Sequence, residues 1–186
     1  MDHTVSNIEF SRPVDVSELT GQSRAISVRA THAECEALCR RFELEELRAL
    51  SARVRVTRAH DGEGAPAIRV QAALHAEVVR ICVVTLEPFA HQVDEEFTIL
   101  FRPAADLPRP AGVADETMSG DSPEPLDGPE IDVGELVAQH LLLALDPHPR
   151  RPGAAVELGG EAAPGADTAP PPYNPFAKLG QLKHKM

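Results

Sequence analysis

The residues best suited to chemistry in this chain are arginines: Arg40, Arg41, Arg48, Arg53, Arg55 and Arg58 lie close together in the first half. Arg53 and Arg55 are two apart in a segment of alternating polarity, so they project from one face of a strand, where a pair of guanidinium forks can grip phosphate oxygens. The same side chains would also serve as weak surface pairs that balance an acidic chain. Cys35 and Cys39 are four apart at helical spacing and share a face. A metal there would need Cys82, His75 or His91 to converge on them. Two small buried thiols are the simpler reading, since free cysteine is among the most buried residue types. Cys82, beside Val83 and Val84, reads as part of an apolar strand, where burial raises a thiol and leaves it inert. Asp94, Glu95 and Glu96 are candidate acid–base groups with no polar residue spaced to partner them. They read as an exposed strand edge, with Glu95 half-buried or paired to Arg80 across a sheet. No phosphate-binding glycine loop, Walker motif or zinc-protease motif occurs in the chain. The expectation is a binding protein with no catalytic residue, no cofactor and no metal.

Composition sets the frame for these residues. A chain of 186 residues carries one ordinary domain with tails. Aromatic residues are only 4%, so aliphatic side chains must do most of the packing. The 17 prolines and 12 glycines fall mostly after residue 100, which points to an ordered first half and a looser second half. A net charge of -11 repels nucleic acid at long range except where cations gather locally, and it suits a basic protein partner. Three cysteines, no apolar leader at the start and no long apolar run favour the cytoplasm, with no membrane association. Oligomeric state is left open.

The elements that must position the arginines follow from periodicity. Thr31 and Glu34 form a capping box for a helix over 33–42 with Leu38 and Phe42 inward. Period-two alternation then runs from Glu45 to Arg102. Its clearest stretch puts Ile68, Val70, Ala72, Leu74, Ala76 and Val78 on one face, with Arg69, Gln71, His75 and Glu77 on the other. Turns at Asp61-Gly62 and at Glu87-Pro88 make three long antiparallel strands. A second helix over 132–145 begins at Asp132 and carries Val133, Leu136, Val137, Leu141 and Ala144 inward. The fold class is therefore α+β: a central antiparallel sheet with two main helices packed on it. Residues 1–146 form the domain, with a flexible acidic insert at 104–130. Residues 147–172 form a Pro/Gly/Ala-rich linker. Residues 173–186 then carry a short docking helix that presents Phe176, Leu179 and Leu182 with Lys183 beside them.

Several segments together resemble a known family. They are Arg80 to Phe89 with Glu95-Glu96-Phe97, Ile131 to Val137 with Leu141 to Leu145, and Asn174-Pro-Phe-Ala-Lys-Leu179. Their order and spacing are similar to those of the YceD family, over about Phe10 to Lys185. The resemblance implies a role in accumulation of the large-subunit (23S) ribosomal RNA, acting on a pre-large-subunit particle by contact with rRNA, a basic ribosomal protein or an assembly factor. Many members carry Cys-x-x-Cys at the central turn, whereas this chain has Cys82 and Thr85. The departure removes the second thiol that a metal or redox role would use. The competing expectation is a metal- or thiol-dependent RNA-processing enzyme, and a chaperone for one basic ribosomal protein is a third. The tentative partner-binding residues are Arg53, Arg55, Phe176, Leu179, Leu182 and Lys183.

Overall fold

A computed structural model of the chain describes residues 9–17, 19, 23–107 and 123–155. The insert residues 108–122 and the C-terminal helix with Phe176, Leu179, Leu182 and Lys183 lie outside them. The chain divides into two units, Met1–Ala154 and Ala155–Met186, and the architecture below is that of the first.

Alternation builds the sheet. Strands β3 (Glu46–His60), β4 (Pro66–Ile81) and β5 (Pro88–Pro103) form an antiparallel meander, with β2 (Arg24–Arg29) at one edge and the short β6 (Glu124–Leu126) at the other. Every second residue of the centre is buried: Val54 and Val56 on β3, Val70, Ala72, Leu74, Ala76 and Val78 on β4, and Phe97, Ile99 and Phe101 on β5. The three long strands and their faces are those that the alternation dictates. β6 runs parallel to β5 and sits inside the acidic stretch, where composition gave no strand signal. A small second sheet pairs β1 (Pro13–Asp15) with β7 (Glu130–Asp132).

Helices α1 (His32–Arg41) and α2 (Val133–Ala144) lie on the apolar face and contribute Leu38, Val137 and Leu141 to a single core. The capping box at Thr31 and Glu34 is formed. Asp132 caps α2 by accepting from the Gly134 and Glu135 N–H groups, at 3.0 and 3.1 Å. The same carboxylate accepts the Arg12 N–H at 2.7 Å and the Ser11 hydroxyl. Arg12 in turn grips Glu34 through both guanidinium nitrogens, at 2.8 and 3.0 Å. One polar chain thus fastens the start of each helix to the N-terminal segment. Gly134 is required at this junction, because a Cβ there would lie 2.5 Å from the Phe10 carbonyl oxygen. Across the helices, Arg41 holds Glu135 bidentately at 2.7 and 2.9 Å.

Three expectations differ from the structure. Glu95 lies opposite Leu74 and Arg80 opposite Phe89, so Glu95 and Arg80 do not pair. The turn at Cys82–Glu87 is longer than a bend at Glu87-Pro88, and this fixes the register of the returning strand. The domain also extends past 146. Residues 147–154, read as the start of a linker, cross the end of the β4–β5 hairpin, where the Val83 N–H donates to the Pro149 carbonyl at 2.9 Å.

Truncating the buried face is expected to destabilise the fold. Leu74→Ala should cost about 2–5 kcal/mol in chemical denaturation. Gln71→Ala, on the opposite face, should stay within about 0.5 kcal/mol. Acid should act through Glu34, whose carboxyl the Arg12 guanidinium holds at about 2, below its ordinary 4.5. A lowered value in the folded state means that the contribution is complete above pH 4.5 and disappears as the pH falls through about 2. Glu34→Gln should lower stability at neutral pH and flatten the acid limb over that window.

Candidate functional site

The unpacked face of the five-stranded sheet gathers the sequence-predicted arginines. Arg53 and Arg55 alternate with buried Val54 and Val56, so both stand exposed on this face. Register brings Arg53 between Ser27 and Ala73, and Arg55 between Ala25 and Gln71. Among the described residues neither guanidinium has a carboxylate within ion-pair distance. Of the rest of the basic run, three members are engaged elsewhere. Arg41 is held by Glu135, Arg48 pairs with Glu46 at 2.9 Å, and Arg58 donates to the Ser17 carbonyl.

Two further arginines join this face. Arg29 lies opposite Ser51 on β2, and Arg69 lies opposite Thr57 on β4. Neither is in an ion pair among the described residues. Arg69 was assignable to this face from its alternation with Ile68 and Val70. Its nearness to Arg55 depends on strand register. On the β5 side the face turns acidic, with Asp94 and Glu96 exposed and Asp94 bonded to His75 Nδ1 at 2.8 Å. Among the described residues the site is thus an uncovered sheet whose β2–β4 portion carries the four arginines, with Glu77 beyond His75 on β4, and whose β5 margin is anionic. Guanidinium forks held on a rigid sheet can bind an anionic backbone without a conformational change.

The thiols do not assemble into a centre. Cys35 is buried in the core, and the Cys39 thiol donates to the Leu44 carbonyl at 2.9 Å. His75 stands on the open face, beside Asp94. Among the described residues no group of three or more His, Cys, Asp or Glu side chains is placed to hold a metal ion. No helix among them is long and apolar enough to cross a membrane.

Cys82 departs from expectation. It sits in the hairpin turn beyond β4, not within a strand, with its N–H donating to the Glu87 carbonyl and its carbonyl accepting from Leu86. Its sulfur has no solvent exposure, yet the thiol is lowered to about 6 from its ordinary 9.0. The Thr85 hydroxyl is the largest cause, and the Arg151 N–H, 3.3 Å from the sulfur, is the next. Both outweigh burial. Thr85 Oγ1, itself buried, completes no hydrogen bond among the described residues. The position where the resemblance expects a second thiol therefore places a hydroxyl near the first. The sulfur, shielded from solvent, accepts from the backbone of the crossing segment.

The profile of one protein family, described as Large ribosomal RNA subunit accumulation protein YceD, matches residues 70–183, more than half of the chain. No curated protein and no solved structure matches.

A folded-state thiol at about 6 against 9.0 sets a pH dependence. The thiolate's contribution is complete above pH 9.0 and disappears as the pH falls through about 6, so stability should rise with pH across that interval. Unfolding followed from pH 6 to 9 should show this slope in the natural sequence. Cys82→Ala should remove the slope, and Thr85→Val should narrow it.

Proposed function

This chain belongs to the YceD family, and from that premise we propose that it is a non-catalytic ribosome biogenesis factor that supports accumulation of large-subunit ribosomal RNA by binding it. The observation that carries the reading is the side-by-side exposure of Arg53 and Arg55, unpaired by carboxylate, on a sheet face with nothing packed against it among the described residues. Unpaired guanidinium groups on a rigid strand are poised for phosphate. Arg29 and Arg69 extend the same surface. Catalysis by a thiol is disfavoured by the enclosure of Cys82, which no substrate can reach without lifting the segment 146–154.

A basic ribosomal protein is the second reading, and the observation that favours it is the net charge of -11. The two separate experimentally. Reversing Arg53 and Arg55 to Glu removes cations that RNA needs and a basic protein does not. In cells lacking the natural protein, Arg53→Glu with Arg55→Glu is expected to leave the ratio of large- to small-subunit RNA depressed, while the natural sequence restores it. Both positions are exposed, so thermal stability should change by only a few degrees. Full restoration by the double variant would end the reading that this face binds RNA.

A further inference from the structure

The arginines of the open face form a line. Arg29 is level with Ser51 on β3, Arg53 and Arg55 follow on β3 itself, and Arg69 is level with Thr57. The four therefore step from β2 across β3 to β4 along one diagonal. With same-face residues about 7 Å apart along a strand and strands about 4.8 Å apart, the diagonal is roughly 22 Å long. The floor around it is low, made of Ala25, Ser27, Ser51 and Ala73. Asp94 and Glu96 run along β5 beside it, level with His75 and Ala73. No Phe, Tyr or Trp stands on this face among the described residues.

Building on the function proposed above, we infer that this rail holds a single strand of RNA, about four nucleotides long, by its phosphates, with the bases turned away from the sheet. A single row of cations matches one backbone. A duplex presents a second backbone across its minor groove, and laid along the rail that backbone falls over Asp94 and Glu96. Like charges there oppose it. Single-strand binders normally add aromatic platforms on which bases stack; among the described residues this face has no Phe, Tyr or Trp, and its one imidazole, His75, is bonded to Asp94. The bases are then neither stacked nor read, so binding tolerates sequence and leaves them free to pair. A factor of this kind keeps a stretch of immature RNA extended and available for its proper partner strand.

The test uses the full chain and fluorescently labelled RNA of fixed length, with binding followed by anisotropy. Single strands of unrelated sequence should bind within about threefold of one another, as expected when only the backbone is held, and a duplex of equal length about tenfold more weakly, because its second backbone meets Asp94 and Glu96. Four phosphate contacts give a slope of about −3 in log affinity against log salt, or roughly fiftyfold between 50 and 200 mM. Arg53→Gln with Arg55→Gln should halve that slope. Asp94→Asn with Glu96→Gln should bring the duplex to within about threefold of the single strand. Tighter binding of the duplex by the natural sequence, or a preference above about tenfold among single strands, would overturn the inference. If that binding were still lost on substitution of Arg53 and Arg55, the sheet face would remain the RNA contact. Failure to bind either RNA would end both the inference and the function on which it rests.

Discussion

Strict alternation along β3, β4 and β5 is the constraint from which the rest of the molecule follows. Each strand carries apolar side chains at every second position and polar ones between, so the sheet can bury one face and must leave the other. Val56, Val70, Ala76 and Val78 have essentially no exposure, while Arg53, Arg55 and Gln71, one residue away along the same strands, face outward. Covering that second face with a helix of the same chain would desolvate guanidinium groups that have no internal carboxylate to meet them, which is costly. Both helices and the N-terminal segment accordingly collect on one side. The bare surface is a direct consequence of how the core is made.

With both helices on one face, their placement depends on few polar contacts. The Asp132 carboxylate caps α2 and also captures the Ser11 hydroxyl and the Arg12 N–H, while Arg12 reaches on to Glu34 at the start of α1. Charge-assisted bonds of this kind are stronger than neutral ones, and here they join segments 120 residues apart in the chain. The two hairpin ends are fixed by different means. At one, Asp61 accepts from the Glu63 and Ala65 N–H groups and holds Arg102 at 2.9 Å. At the other, the Cys82 sulfur draws in the Thr85 hydroxyl and the Arg151 N–H.

These contacts also explain how an acidic chain displays a basic surface. Arg12, Arg41, Arg48, Arg102 and Arg151 are each neutralised by a carboxylate, on Glu34, Glu135, Glu46, Asp61 and Glu87 respectively. Among the described residues Arg24, Arg29, Arg40, Arg53, Arg55, Arg58, Arg69, Arg80 and Arg150 are left without one, and of these Arg29, Arg53, Arg55 and Arg69 share the open face. Charges on the solvent side are screened over about 8–10 Å at physiological salt, so a phosphate at the sheet responds to those four before it responds to the net charge of the chain. The enclosed thiolate of Cys82 is a separate device, fastening the segment 146–154 to the end of the hairpin.

The amino-acid sequence by itself determined the elements and their faces. The capping box at Thr31, the cap at Asp132 and the alternation of Ile68 to Val78 are local signals, because backbone capping and side-chain period depend only on neighbours in the chain. The exposure of Arg53 and Arg55 was legible for the same reason. What the tertiary structure alone decided is register and closure. The six-residue turn from Cys82 to Glu87 sets Arg80 against Phe89, and no local pattern specifies that offset. Register likewise brings Arg29 and Arg69 into line with the two predicted arginines. The lowering of the Cys82 thiol has one local cause, Thr85 in the same turn, and one that only closure supplies, the backbone N–H of Arg151, 69 residues on. The line of arginines comes from groups far apart in the chain, and the fold is what brings them together.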